Sequence, residues 1–196
     1  MAGSTEIGGR RRGSRWRIAA WGTAAFLLLL LPLVAMRFTD EVTWDETDFA
    51  VIGAMLAGAC GTYELAARMT GNGAYRAAVG VAVAAAFILV WMNLAVGIIG
   101  TEDNPANLMY GGVLAVGIIG TVIARFQPHG MARALVATAL AQALVAVIAV
   151  IAGMGYPASP PLEILGVTAM LAALWLLSAW LFRKAAQQQV PAGAAA

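Results

Sequence analysis

The sequence predicts an all-α fold, a six-helix transmembrane bundle of antiparallel sequential hairpins, with both termini cytoplasmic and no soluble domain. Three observations carry that expectation. Of 196 residues, 61% are hydrophobic and 11% charged, whereas a soluble domain carries about 25% charged residues. The apolar residues fall into six stretches of the length that crosses a bilayer, roughly 20 residues each. Basic and acidic residues then alternate between the links that join the stretches. A soluble enzyme, a disordered chain and a disulfide scaffold are excluded by the same composition.

The chain opens with a basic cytoplasmic tail, 1–17, containing Arg10, Arg11, Arg12, Arg15 and Arg17. The first span, 18–36, follows. It is longer than a signal-peptide core, and no small-x-small site lies after Leu33-Val34-Ala35-Met36 and before Arg37, so an uncleaved helix is expected. The other spans cover about 49–67, 77–100, 108–126, 132–153 and 162–182, and 183–196 forms a second cytoplasmic tail. None shows the alternation of a barrel strand. Their links are short and rich in turn formers: Thr70-Gly71-Asn72-Gly73, Asn104-Pro105, Gln127-Pro128-His129-Gly130 and Pro157-Ala158-Ser159-Pro160-Pro161. Gly71-Asn72-Gly73 reads as a turn and helix C-cap.

Charge sets the orientation. With the N-terminus inside, eleven of the twelve Lys and Arg lie on the inner side, Arg37 being the exception, and eight of the ten Asp and Glu lie outside. That is the positive-inside pattern. Aromatic residues such as Trp21, Tyr75, Trp44 and Tyr110 fall near the two predicted boundaries, where headgroups favour them.

Helices in lipid associate through close packing of small residues and through buried polar groups. In the second span Ala50, Ala54, Gly58 and Thr62 recur every four residues beside Gly53, Ala57 and Gly61. This smooth face is expected to be buried in the bundle. Ala137, Ala141, Ala149 and Gly153 form a similar row in the fifth span, and Cys60 reads as a small apolar filler. An octapeptide, Leu94-Ala95-Val96-Gly97-Ile98-Ile99-Gly100-Thr101, recurs at 114–121. The identity ends where Asn93 matches Val113 and Glu102 matches Val122, which suits a packing motif better than an inverted transporter repeat.

Between the third and fourth spans, Asn104 has the character of an N-cap and Pro105 of a first helical residue. Glu102 and Asp103 precede them. The other acidic link, Asp40 to Asp48, is expected on the same side. Together they could gather a hard cation, but no metal-binding loop spacing is present, and exclusion of bases from that side with the preference of helix starts for negative charge is the better explanation of the acids. The segment Asn93 to Gly100, Glu102-Asp103-Asn104-Pro105-Ala106-Asn107-Leu108-Met109-Tyr110 and Ala124-Arg125-Phe126-Gln127-Pro128 resembles a family of small bacterial multi-span inner-membrane proteins of uncharacterised activity. The resemblance covers about 91–135 and is looser around 44–65. It implies a bacterial inner membrane and brings no activity, substrate or catalytic residue with it.

Ionisable residues inside spans are scarce. Glu64 is the one acid well inside a span, with Arg68 four residues on at pairing distance. Asn93 is expected about 10 Å below the outer end of the third span, and Gln142 near the middle of the fifth. Each amide requires a partner in hydrocarbon, either a neighbouring helix or a polar path. The single His129 excludes bis-histidine haem binding and a Ser/His/Asp site, and the single Cys60 excludes an intrachain disulfide or thiolate metal cluster. No cofactor and no nucleic-acid partner is indicated. Two functions fit. One is a non-enzymatic structural or accessory protein whose partners are the bilayer and another membrane protein or a second copy. The other is a small ion or solute transporter or channel with Asn93 and Gln142 in its path.

Overall fold

The computed structural model describes residues 22–23, 27–30, 32–38 and 44–189. Among them the regular structure is entirely helical. Five helices are long and apolar enough to cross a membrane, which makes the chain a multi-pass integral membrane protein. They are α1 (Glu46–Met69), α2 (Gly73–Ala95), α3 (Met109–Ile123, led by a 3-10 turn at Pro105–Leu108), α4 (Pro128–Ile151) and α5 (Pro161–Gln187). Of the first predicted span, 22–23, 27–30 and 32–35 are helical. Met36 follows in a turn, while 18–21, 24–26 and 31 of that span, the tail 1–17, Asp40, Glu41 and 190–196 lie outside the described residues. Large apolar side chains cover the exterior: Ile123, Leu140 and Ile151 are each more than 60% exposed. That surface suits lipid rather than water.

The chain divides into two compact units, Met1–Leu65 and Ala66–Ala196. In the first, α1 starts before its apolar run because its end is capped twice. Asp45 Oδ1 accepts from the N–H groups of Thr47 and Asp48, and Asp48 Oδ2 accepts from the N–H of Asp45. This is a reciprocal capping box. Trp44 packs edge-on against Phe49, ring centroids 5.3 Å apart, across the same turn, as a hydrophobic staple does. The small-residue face behaves opposite to expectation. Ala50, Ala54, Ala57, Gly58, Gly61 and Thr62 are exposed, and the buried positions are Ile52, Leu56 and Glu64. Nothing lies within 4 Å of a Cβ built on Gly53, Gly58 or Gly61.

In the second unit α3 packs on α4, α4 on α5, and α5 on α2. The expected hairpin of α2 with α3 is therefore replaced by pairing of α2 with α5. Ser178 of α5 donates to the Ala78 carbonyl of α2 at 2.7 Å, where both residues are fully buried. Small residues set the α3–α4 approach, since a Cβ on Gly120 would stand 2.7 Å from Ala134 Cβ and one on Gly117 3.2 Å from Thr138 Oγ1. In α4 the expected row Ala137, Ala141, Ala149 and Gly153 is buried only at Ala149, with Ala141 half-buried and Ala137 and Gly153 exposed. The inner face also carries Leu135, Ala139, Gln142 and Ala146.

Several predicted boundaries shift for local reasons. Gly71-Asn72-Gly73 caps the helix that follows rather than the one before: Asn72 Oδ1 accepts from the Tyr75 N–H at 2.9 Å. Pro128 opens α4 before its apolar run. Gly153, at φ +63°, closes α4 as Met154 N donates to the Ala149 carbonyl, a Schellman ending. α5 continues through 183–187, burying Ala185 and Ala186, so that part of the expected tail is helix. At this Gln127 end of the unit, Asn72 Nδ2 donates to Gln188 and the Tyr75 hydroxyl donates to the Phe126 carbonyl.

Candidate functional site

At the opposite end α2 stops at Ala95 instead of continuing to Gly100. Gly97 and Gly100 take φ +70° and +76°, a region glycine enters without steric cost. The chain folds back so closely that a Cβ on Gly97 would collide with the carbonyl of Thr101. The turn buries Ile98 and Ile99, and their backbone groups need partners away from water. Asn107 supplies them. Its Oδ1 accepts from the N–H of Ile98 and of Ile99, and its Nδ2 donates to the carbonyls of Ile99 and Thr101. One amide thereby organises the whole turn.

Two further residues bind this turn to the α4–α5 link. The Ser159 hydroxyl exchanges hydrogen bonds with the N–H and carbonyl of Gly100, both at 3.1 Å. Asn104 Nδ2 donates to the Met154 carbonyl, while its Oδ1 caps the Ala106 N–H and Pro105 takes the first helical position. Sequence reasoning anticipated that cap, although the helix it starts begins as a 3-10 turn. Glu102 and Asp103 are exposed on the turn. Among the described residues no three His, Cys, Asp or Glu side chains gather closely enough to hold a metal ion.

Beneath the turn lie polar groups of a different kind. The shorter α2 places Asn93 about 3 Å from the helix end, not 10 Å inside. Its Nδ2 donates back to the Leu89 carbonyl of its own helix, and its buried Oδ1 has no partner. Gln142 is fully buried on α4, and neither Nε2 nor Oε1 is hydrogen-bonded. Tyr110, Thr168 and Trp175 are buried with their polar atoms unpaired. Tyr110 and Thr168 are close enough to interact but do not meet in hydrogen-bond geometry. Buried polar atoms in folded proteins are almost always paired, so five such residues on four helices of one unit set this part of the molecule apart.

Glu64 is buried and Arg68, one turn on, is exposed; each has an interaction partner. They lie on α1, apart in sequence from these polar residues. The sequence alone does not single out Asn107, Ser159, Tyr110, Thr168 or Trp175 as site residues. For Asn107 a signal existed, two asparagines flanking Pro105-Ala106 just after a Gly-x-x-Gly pair. For Thr168 and Trp175, seven residues apart on one helix face, no signal separates them from ordinary core residues. No family model, curated protein or solved structure matches the chain.

Proposed function

We propose that this chain is a six-span protein of a bacterial inner membrane, with both termini cytoplasmic, acting without catalysis as an accessory to another transmembrane helix. The observation that supports the reading is the open face of α1. Ala50, Ala54, Gly58 and Thr62 form a row without large side chains, and all four are exposed. Rows of this kind let helix backbones approach closely in lipid, where association depends on packing rather than on exclusion of water. The basic residues of the inner links support the orientation.

The test places a photo-crosslinking residue at position 54 or 58, and at Val51 for comparison, in cells. Adducts with a second protein or a second copy at 54 and 58, but not at 51, are expected. Adducts with lipid alone at all three positions would sink the accessory reading. A second reading, a polar solute path, is favoured by one specific observation: Gln142 is fully buried with both amide atoms unpaired. Amides serving only as glue would have been expected to bond across helices.

A further inference from the structure

We propose that the half of the second unit nearest Asn107 holds a binding site for small uncharged polar molecules, centred on Gln142 and Thr168 and reached from the Asn107 end. The proposal rests on the second reading above and names its ligand class and its access side.

The distribution of hydrogen bonding is the first support. Nearer the Gln127 end the buried hydroxyls are satisfied by protein: Ser178 donates to Ala78, and Thr138 donates to the Ala134 carbonyl of its own helix. Toward the Asn107 end Gln142, Thr168 and Tyr110 are at most 5% exposed and their side-chain polar atoms make no hydrogen bond of good geometry, as is also true of Trp175 Nε1 near the middle of α5. In hydrocarbon each such group carries a desolvation cost. Packing alone does not account for a glutamine amide held at full burial with both ends unused.

Depth is the second support. At 1.5 Å per residue, Asn93 lies about 3 Å from the end of α2, Thr168 about 10 Å from the start of α5, and Gln142 about 14 Å from the end of α4. Trp175 lies about 21 Å along α5. Tyr110 stands at the start of α3, beside Thr168. The unpaired groups thus descend from the Asn107 end toward the midplane on four helices. Three of these helices pack in series, α3 on α4 and α4 on α5, and α5 also contacts α2.

Chemistry selects the ligand class. Gln142 offers a donor and an acceptor, Tyr110 and Thr168 offer hydroxyls that serve as either, and Trp175 offers a donor. The charged residues of this unit lie in links or within the outer two turns of the helices, Arg133 being the most interior on α4 and Arg183 on α5. Among the described residues of this unit no carboxylate or guanidinium stands at the level of Gln142 to neutralise an ion, and an unpaired charge there is costly. Mixed donors and acceptors without charge match a small hydroxyl- or amide-bearing molecule.

Cysteine reactivity tests this in the full chain. Cys60 is the sole cysteine, so a Cys60→Ala background accepts single replacements. Gln142→Cys and Thr168→Cys are compared with Leu144→Cys, which sits one helix face away from Gln142 on an exposed, lipid-facing position. Membranes are treated with an uncharged hydroxyethyl methanethiosulfonate or with its trimethylammonium counterpart. Thiols in hydrocarbon remain protonated and slow, so the two site variants should react with the uncharged reagent at least about tenfold faster than Leu144→Cys, and markedly faster than with the cation. Equal, fast reaction with both reagents would overturn the uncharged class while leaving a polar site in place. Reaction no faster than at Leu144→Cys would overturn the polar-site reading itself. Thr168→Cys, a near-isosteric change, keeps the test decisive where Gln142→Cys fails to fold.

Discussion

Residues 94–101 and 114–121 are the same eight amino acids, and they do different work. The first copy ends α2 and turns back on itself. Its isoleucines, Ile98 and Ile99, are buried, and its glycines sit at positive φ. The second copy is helical throughout within α3, and its isoleucines, Ile118 and Ile119, are 65% and 57% exposed. Its glycines, Gly117 and Gly120, face α4 at close approach, and Thr121 donates back to the Gly117 carbonyl. Glycine thus serves backbone conformation in one copy and interhelical distance in the other. What differs lies outside the repeat. Behind the first copy stand Asn104, Pro105 and Asn107, which offer its backbone an alternative to the helical ladder; behind the second stand Val122 and Ile123, which offer none.

Four substitutions break that comparison by graded amounts, each measured as unfolding stability in detergent. Gly97→Ala has the largest expected effect, about 3 to 5 kcal/mol, because it combines a left-handed backbone with a methyl driven into the Thr101 carbonyl. Asn107→Ala comes next. It strands two buried N–H groups and two carbonyls of the turn, a loss of about 2 to 4 kcal/mol. Gly120→Ala pushes a methyl to 2.7 Å from Ala134 Cβ and should cost about 1 to 3 kcal/mol by wedging α3 from α4. Gly117→Ala should stay within about 1 kcal/mol of the parent, since the helix gains from losing a glycine and the Thr138 side chain is crowded only slightly. A result in which Gly117→Ala is as damaging as Gly97→Ala would mean that the two copies share one role.

The same comparison explains what was legible in the sequence. Hydropathy located the five described spans to within a few residues, since a run of about 20 apolar residues has few other stable fates in a bilayer. It carried the third span through Gly100 because Val96, Ile98 and Ile99 are as apolar in a turn as in a helix. The deciding partner, Asn107, acts through side-chain hydrogen bonds that no periodicity reveals. The α1 face was misplaced for a related reason. Small residues mark where backbones can approach, not whether this chain supplies the second backbone. Glu46 to Asp48 belonged to α1 against their polarity because Asp45 and Asp48 cap each other, a signal that was present and outweighed by hydropathy. The outer amides were visible as anomalies at Asn93 and Gln142. Their lack of partners was not, because it depends on which faces of α3, α4 and α5 turn together.

The most direct test of the difference between the two copies is a backbone Cα chemical-shift measurement on isoleucine-labelled protein in micelles. Helical shifts at Ile118 and Ile119, with non-helical shifts at Ile98 and Ile99 that turn mobile or helical in Asn107→Ala, are the predicted result. Helical shifts at all four isoleucines in the parent protein would contradict it.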